Sequence, residues 1–362
     1  MALQLIEGFD HFNSVALAAL KGWTFADSSG AGWFPPSWTT GRITGGAFRT
    51  QVFVVTGSGQ SFYMRKPVPG APTTFTCGFA FRVNTLPKSP NQCHIYAGAN
   101  AAAARVFAVQ IGWDGTLNVY GGISGFASSA ANLIRPNVWN YIEVTVNAAG
   151  ASSTVEAHLN GVPVIASSTV NCGTTPLAAI GPYCAENNKW IDTADGTTHP
   201  LLDYDDLYVT DTTGGINVGY LGDVHVDTLL PIGDGANTAW TPDSGTAHYP
   251  RVSDNPPDGD TSYVSSSTVG AKDTYAFADL PAASGPVYGV QVNLWARKDD
   301  AAVRQLRPVV RIAGMDYLGP TAFVMASSFA DYAQLYDKSP ASSAAWTPSE
   351  VNAAEFGVEV DA

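Results

Sequence analysis

Apolar residues alternate with small or polar residues along much of the first half of the chain. In residues 75–83 every odd position is apolar, and Ile142, Val144 and Val146 repeat the same spacing. Because successive side chains of a β-strand point to opposite faces, this period predicts half-buried strands with one apolar face in a core. Alternation returns at residues 290–296, so the second half is also predicted to be β-structure.

Two dipeptides predict hairpin turns between such strands. Asp114-Gly115 and Asn160-Gly161 each separate two alternating runs. Asp-Gly and Asn-Gly favour the tight type I′ turn, which needs positive φ at both central residues. Helices are predicted only at residues 14–21 and, more weakly, at 348–354.

The fold class predicted from these patterns is all-β with two β-sandwich domains, because sheets with one apolar face bury it against each other. The 362 residues also exceed the limit of about 250–300 residues for a single core. The turn at Thr212–Gly215 is the predicted boundary. Residues 1–212 would form the first domain, and 213–362 a smaller sandwich whose entry segment, 222–262, is rich in loops. A β-barrel is the alternative fold for either half.

Composition and charge narrow the possible partners. Hydrophobic residues make up 45% of the chain and charged residues 14%, which is typical of a globular protein. A net charge of −13 argues against a nucleic-acid partner, since phosphate contacts need a basic surface. No run of about 18 apolar residues occurs, so no membrane insertion is predicted. The N-terminus lacks the basic and apolar regions of a signal peptide, so folding in a cytoplasm is expected.

No cofactor and no metal site are predicted. The four cysteines, Cys77, Cys93, Cys172 and Cys184, lack C-x-x-C spacing, and no nearby histidine pattern suggests zinc. Buried free thiols are the preferred interpretation, with a Cys172–Cys184 disulfide as the alternative.

Two acidic loops raise the question of a structural calcium ion. Residues 192–196 and 254–260 each bring several carboxylate or amide oxygens together. Neither loop has the twelve-residue spacing or the closing glutamate of an EF-hand, and Asp and Asn form turns without any metal. Turn formation is therefore preferred over calcium binding.

The first 212 residues resemble the concanavalin-like jelly roll of the laminin-G and legume-lectin type. The resemblance is carried by the opening motif, a Trp-containing strand, the second hairpin and a closing strand: Gly8-Phe9-Asp10-His11-Phe12, Trp139-Asn140-Tyr141-Ile142-Glu143-Val144, Asn160-Gly161 and Asp205-Asp206-Leu207-Tyr208-Val209.

Nearly the whole chain resembles virion structural proteins of tailed bacteriophages that join such a sandwich to a second β-domain. The opening motif, Leu20-Lys21-Gly22-Trp23 and residues 256–264, 273–275, 296–301 and 345–352 carry this resemblance. It implies a non-enzymatic tail, fibre or surface-decoration protein, located in the virion after assembly in the host cytoplasm. The implied partners are other virion proteins, further copies of the chain and a host-surface glycan.

The jelly roll is also the fold of glucanases, which makes an enzyme the alternative to exclude. Glycoside hydrolysis needs two carboxylates, which that family supplies from Glu-x-Asp-x-x-Glu on one strand. The only Glu-x-Asp here is Glu359-Val360-Asp361, outside the jelly-roll half. No catalytic residue is assigned, the protein is expected not to be an enzyme, and a polysaccharide depolymerase is the weakest alternative.

Other acidic and histidine residues receive structural interpretations. Asp203, Asp205 and Asp206 are interpreted as solvated or turn-forming residues at the entrance of a strand. His158, beside Glu156 on a predicted hairpin, is interpreted as a solvated or cross-strand partner. Neither group is expected to perform chemistry.

Trp33, Phe34 and Trp38 are the candidate contact residues. They lie among glycines and prolines in residues 30–38, where aromatic rings on a loop suit a ligand or a protein partner. The alternatives are a plug at the end of the core, a protein–protein contact and a glycan site. A glycan site would make the protein a lectin-like receptor-binding protein, which is the alternative function.

Overall fold

The computed structural model describes residues 2–27, 36–43, 45–51, 61–185, 189–190, 200–281 and 285–362. The chain divides into two compact units, Met1–Val226 and Asp227–Ala362. Within the described ranges, no helix is long and apolar enough to cross a membrane.

The first unit contains one short helix, α1 (Val15–Leu20), and a 3-10 turn at Gly150–Ser152. Its strands, in chain order, are β1 (Leu3–Glu7), β2 (Thr24–Asp27), β3 (Pro36–Thr40), β4 (Gly46–Gln51), β5 (Ser61–Pro67), β6 (Thr74–Val83), β7 (Gln92–Ala99), β8 (Arg105–Gly112), β9 (Leu117–Gly121), β10 (Phe126–Ser128), β11 (Asn140–Asn147), β12 (Ser153–Leu159), β13 (Val162–Val170), β14 (Ala179–Ala185) and β15 (Leu201–Asp211).

These strands form two antiparallel sheets. The eight-stranded sheet has the order β13-β12-β11-β6-β15-β4-β3, with β1 also paired to β15, and the seven-stranded sheet has the order β10-β9-β8-β7-β14-β5-β2. Neighbours that are distant in sequence, such as β6 beside β15 and β7 beside β14, mean that the chain passes repeatedly between the sheets. This topology confirms the predicted jelly-roll sandwich.

The core lies between the two sheets and is rich in aromatic rings. Phe79 of β6 and Tyr96 of β7 stack across it with ring centroids 3.9 Å apart. Both hairpins form: Asn160 and Gly161 join β12 to β13 with φ of 52° and 75°. Positive φ at both residues is the type I′ geometry that favours Asn-Gly. Residues 113–116 join β8 to β9 in a longer loop, where Gly115 but not Asp114 has positive φ, so the type I′ turn predicted there does not form.

The prediction that residues 75–83 form a half-buried strand is wrong, because β6 is buried on both faces. β6 lies in the interior of the eight-stranded sheet, and the Tyr208 ring of neighbouring β15 lies over Gly78. A Cβ atom on Gly78 would approach this ring to 2.2 Å, so only glycine fits. Small residues at the even positions therefore make room for covering side chains rather than for water.

The opening motif packs around a buried carboxylate, that of Glu7. It accepts hydrogen bonds from the Phe9 backbone N–H (3.1 Å), the Trp23 indole N–H (3.1 Å) and the Lys66 ammonium (2.8 Å). Burial alone would raise the pKa of Glu7, but the Lys66 and His11 charges and the hydrogen bonds outweigh it and lower the pKa to about 2. Glu7 thus ties the N-terminal strand to Trp23, just before β2, and to β5.

The second unit contains α2 (Pro348–Ala353) and 3-10 turns at Tyr249–Arg251 and Gly259–Thr261. Its strands are β16 (Pro231–Thr238), β17 (Thr241–Pro242), β18 (Val264–Ser265), β19 (Lys272–Phe277), β20 (Val290–Ala296), β21 (Gln305–Ile312), β22 (Met315–Leu318), β23 (Phe323–Val324), β24 (Ala330–Tyr336) and β25 (Glu355–Val360).

A six-stranded sheet, β16-β19-β25-β21-β22 with β23 on β21, packs against the β20–β24 pair in the second unit. Its core includes Val292 from the pair, Val310 and Phe356 from the sheet, and Trp346 just before α2. The predicted all-β class with two sandwiches is confirmed, and both predicted helices form.

Candidate functional site

A row of polar side chains crosses four strands on the outer face of the seven-stranded sheet. His94 of β7 pairs with Gln110 of β8, Gln110 with Asn118 of β9, and Asn118 with Ser128 of β10. Their neighbours along the strands, such as Ile111, belong to the core, so the period of two turns this row away from it. Gln110 contacts the His94 ring at 2.9 Å, and the Ser128 hydroxyl donates to the Asn118 side-chain oxygen.

His94 is held as a neutral imidazole at the centre of this face. An Arg105 guanidinium nitrogen lies 2.9 Å from its Nε2. Because a guanidinium only donates, Nε2 accepts and the ring proton resides on Nδ1. Burial, together with the Arg105 and Lys189 charges, lowers the pKa of His94 to about 3. The ring is therefore uncharged at neutral pH, and its acceptor nitrogen is occupied by Arg105.

Aromatic rings flank the polar row on both sides. Tyr120 and Phe126, paired on β9 and β10, stack with centroids 4.8 Å apart, and Phe126 is 54% exposed. The Tyr120 hydroxyl donates to the Gln92 side-chain oxygen at 2.9 Å. On the β14 side, the Tyr183 ring meets His94 edge-on at 5.4 Å. His94, Gln110 and Asn118 are buried, so the accessible groups of this face are Phe126 and Ser128, with Tyr120 and Gln92 partly exposed.

Small residues separate the aromatic pair from the far side of the sheet. Gly181 pairs with Ala97, Ala97 with Ala108, and Ala108 with Tyr120. Gly181, Ala97 and Ala108 are all buried. On β5, beyond Gly181, the Arg65 guanidinium lies 4.1 Å from the centre of the Tyr63 ring.

A recess of about 300 Å³ opens beside His94. Gln92, His94, Gln110 and Tyr120 form its sheet side, and Asn91 and Lys189 contribute from loops. Its lining thus combines an aromatic ring, amides and a cation in one place. This combination is typical of a site that binds a polar organic ligand by hydrogen bonds and ring contacts.

The interpretation of Asp203, Asp205 and Asp206 as solvated or turn residues is wrong, because all three are buried within β15. Asp203 accepts hydrogen bonds from Arg49 and Arg82, for example Arg49 Nη2 at 2.9 Å. Burial and the neighbouring Asp206 charge raise the pKa of Asp205 to about 8. These acids belong to the eight-stranded sheet and hold it together.

Arg42 attaches the segment after β15 to the first unit. Its guanidinium donates to Asp206 at 3.0 Å, to the Val224 carbonyl at 2.6 Å and to Asp223. The side chain is only 9% exposed, and its guanidinium lies 5.1 Å from the centre of the Tyr141 ring. These contacts account for the division of the chain after Val226 rather than near residue 212.

Glu143 makes a second attachment of the same segment. Its Oε1 accepts from the Tyr208 hydroxyl at 2.5 Å and from the Gly222 backbone N–H at 2.8 Å, and Glu143 is fully buried. Both attachments lie on the eight-stranded sheet. The acids that stood out in the sequence therefore serve packing, on the sheet that does not contain the polar row.

Of the three predicted contact residues, Trp38 lies on β3 of the eight-stranded sheet, partly buried. Its ring meets Phe12 and Phe48 edge-on at 5.7 and 5.9 Å, at the margin of the core. Trp33 and Phe34 lie outside the described residues. The structure does not bring Trp38 to the polar row, and its contact with a ligand or partner stays a prediction.

His158 is partly buried on β12 and contacts the segment after β15 and its own strand, which neither of its two interpretations stated. Its ring stacks on Tyr220 at 3.7 Å and lies 3.8 Å from the Glu156 carboxylate. In the acidic loop at 254–260, Asp254 and Asp258 both accept from the Ser262 hydroxyl. The other acidic loop, 192–196, lies outside the described residues. No cluster that could hold a metal occurs within the described ranges.

Sequence reasoning did not single out His94, Arg105, Gln110 or Tyr120. The available signal was weak: each is a polar residue in a strand whose alternate positions are apolar. Arg105 and His94 are eleven residues apart in sequence but touch across β7 and β8. Only strand pairing shows that these residues share one surface.

No family model matches the chain, and no curated protein matches its sequence. Among solved structures, the botulinum neurotoxin serotype C1 binding domain is similar at 12% identity and TM-score 0.36, covering 52% of this chain and 44% of that one. This chain therefore spans less than half of that domain's length.

Two further solved structures are similar to a comparable degree. An alginate lyase of Polysaccharide Lyase family 7 is 12% identical, with TM-score 0.34 and coverage of 49% and 82% of the two chains. The lectin UEA-II complexed with galactose is 14% identical, with TM-score 0.36 and coverage of 58% and 99%. One is an enzyme and one a lectin, and at such TM-scores the likeness assigns no activity to this chain.

Proposed function

We propose that the protein binds carbohydrate on the outer face of the seven-stranded sheet. The observation that carries the proposal is the polar row from His94 to Ser128, bordered by the stacked rings of Tyr120 and Phe126. A sugar ring has an apolar C–H face that packs on aromatic rings, and its hydroxyl edge exchanges hydrogen bonds with amides. Both kinds of group adjoin the same recess.

The proposed activity is binding without cleavage. Glycoside hydrolysis needs two carboxylates beside the bond, and Asp27, on edge strand β2, is the only acidic residue on the strands of this sheet. A general base needs an accessible acceptor with a pKa near the working pH. His94 has neither, since Arg105 occupies Nε2 and the pKa is about 3.

We place this binding on the surface of a bacteriophage virion, where it would serve adhesion to the host. The support is the resemblance of the opening motif and of the second half to phage structural proteins. In the structure the opening motif builds the core around Glu7, with Phe9, Phe12 and Trp23 buried. Several copies in one particle would turn weak single contacts into strong attachment.

The binding proposal is tested with a glycan array, followed by calorimetry on any glycan that binds. Tyr120→Ala and Gln110→Ala are each expected to weaken binding by about tenfold or more, since each removes a central contact. His158→Ala, a ring of the opposite sheet, is the matched control and should leave the affinity unchanged. Equal binding by all three variants would move the site elsewhere and overturn the proposal.

Two further measurements test the absence of cleavage and the location in the virion. Incubation of the protein with any bound polysaccharide should release no new reducing ends and no unsaturated products, and their appearance would make the protein a depolymerase. Mass spectrometry of purified phage particles should detect the chain as a virion component. Its absence from particles whose genome encodes it would refute the virion location.

A further inference from the structure

Charge is divided unequally between the two sheets of the first unit. The eight-stranded sheet carries seven carboxylates on its strands against two basic residues, Arg49 and Arg82: Glu7, Glu143, Glu156, Asp203, Asp205, Asp206 and Asp211. The seven-stranded sheet carries Arg65, Lys66 and Arg105 against Asp27. The sheet with the candidate site is therefore the basic one, in a chain of net charge −13.

Ion pairing makes the contrast sharper. In the first unit Arg42, Arg49 and Arg82 each pair with an aspartate. All five arginines of the second unit are also paired with acids. In the described part of the chain, Arg65 and Arg105, like the exposed Arg135 outside the strands, are not paired with a carboxylate, although acidic residues outnumber basic ones by 31 to 18.

Both guanidinium groups are partly buried without a carboxylate beside them. The Nε atoms of Arg65 and Arg105 are buried and have no hydrogen-bond partner among the described residues. The Arg65 guanidinium lies over the Tyr63 ring, and one guanidinium nitrogen of Arg105 donates a hydrogen bond to His94. Burying a cation without a counter-charge costs free energy, which an anion bound against it would recover.

The two cations also lie apart along the face. Arg65 is on β5 and Arg105 on β8, three strand spacings away, or about 14 Å at about 4.8 Å per spacing. Between them run β14 and β7, whose residues Gly181 and Ala97 are small and buried. Such a spacing suits an extended ligand with repeated charges better than one small anion.

We infer that the ligand of this face is an anionic polysaccharide, with its carboxylate or sulfate groups bound by Arg65 and Arg105. The inference rests on the proposed function and specifies the class of glycan. Hydroxyl groups of the same chain would meet the amides of Gln92 and Gln110, while Tyr120 and Phe126 contact its ring faces.

The test compares charged and uncharged polymers of the same backbone. Calorimetry would use polygalacturonate against its methyl ester, carboxymethylcellulose against hydroxyethylcellulose, and dextran sulfate against dextran. In at least one pair the anionic member should bind about tenfold more tightly at low salt, and binding should weaken as NaCl rises from 50 to 300 mM, as expected for screened charges. The pairs separate carboxylate from sulfate recognition.

Variants locate the charge effect. Arg65→Gln and Arg105→Gln should each weaken binding of the anionic polymer about three- to tenfold, with Arg105→Lys retaining more affinity than Arg105→Gln because it keeps the charge. Arg304→Gln, an exposed arginine of the second unit, changes the net charge equally and should have no effect. Thermal unfolding would confirm that each variant folds.

The outcomes separate the two proposals. Equal affinity for the charged and neutral members of every pair, unaffected by salt, would overturn the anionic ligand and leave carbohydrate binding intact. Loss of affinity in Arg304→Gln equal to that in Arg65→Gln would also overturn it, since net charge alone would then explain binding. No binding to any polymer or to the glycan array would overturn carbohydrate binding itself.

Discussion

The imidazole Nε2 of His94 lies 2.9 Å from a guanidinium nitrogen of Arg105, in the middle of the seven-stranded sheet. This contact makes the ring an acceptor and places a cation beside it. Protonation of His94 is therefore opposed both by burial and by charge repulsion. Neutral His94 is part of the folded state rather than a proton donor or acceptor at neutral pH.

The folded pKa of His94, about 3, lies below its unfolded value of 6.5. The neutral form therefore stabilises the fold fully above pH 6.5, and this stability is lost as the pH falls from 6.5 towards 3. The free energy of unfolding, measured by urea denaturation, should fall between pH 7.5 and pH 4.5 in both proteins. We expect the fall to be about 2 kcal/mol smaller in His94→Gln than in the parent. Identical pH profiles of the two proteins would contradict the assignment.

Protonation of Glu7 should cause a second loss of stability, at lower pH than that of His94. Its folded pKa of about 2 lies below the usual 4.5, so its contribution is present above pH 4.5 and is lost as the pH falls through 2. Glu7→Gln should be less stable than the parent at pH 7 by on the order of 2–3 kcal/mol, and should show a flatter acid limb. Tryptophan fluorescence during acid titration measures both effects, and Glu156→Gln serves as the control on the same sheet.

Arg42→Ala should release the segment 213–226 from the first unit. Removing the guanidinium leaves Asp206 buried beside Asp205 without its cation, and such a loss costs about 3–5 kcal/mol. Limited proteolysis should then cut near Asp223, while the parent resists. Arg304→Ala, which breaks an exposed pair with Asp300, should unfold and digest like the parent. Unchanged protease resistance in Arg42→Ala would show that Glu143 alone attaches the segment.

All four cysteines are buried free thiols in the structure, as the sequence suggested. Burial raises the pKa values of Cys77 and Cys172, which further suppresses the reactive thiolate. A disulfide-exchange reagent should therefore modify none of the thiols rapidly in the native protein and all of them after denaturation. Fewer reactive thiols in denaturant, under non-reducing conditions, would reveal a disulfide.

The second unit depends on a buried carboxylate of its own. Asp273 accepts from the Tyr275 hydroxyl at 2.6 Å and contacts His248 Nδ1 at 2.9 Å. Asp273→Ala should destabilise this unit by about 3 kcal/mol, because it leaves both partners unpaired, whereas Tyr275→Phe should cost about 1 kcal/mol. Hydrogen exchange should show faster opening in β19 and β25 while β6 and β15 stay protected. Uniform acceleration across both units would contradict this assignment.

The sequence predicted the sandwiches well because each local signal had one physical meaning. Asn160-Gly161 permits a type I′ turn at no steric cost, and the alternation in β12 matches its alternating buried and partly exposed residues. The same reasoning failed at β6 and β11, which were predicted to be half-buried but are buried on both faces over most of their length. There, the apolar positions mark the face towards the core. The other face is also buried, because Tyr208 and the segment around Leu221 cover it.

The interpretation of Asp203, Asp205 and Asp206 failed for a related reason. Aspartate is most often solvated or in a turn, and nothing in the sequence near these residues indicates their cations. Arg42, Arg49 and Arg82 approach from more than 100 residues away. An ion pair over that distance follows from strand pairing and cannot be derived from local pattern.

By itself, the sequence determined the all-β class, both hairpins, both helices and the burial of the cysteines, because hydrophobic period and turn chemistry act over a few residues. Only the tertiary structure decided which polar residues share a surface. His94, Gln110, Asn118 and Ser128 come from four strands, and they form one row because antiparallel pairing fixes their register. The same pairing placed the acids on one sheet and left Arg65 and Arg105 without carboxylate partners on the other.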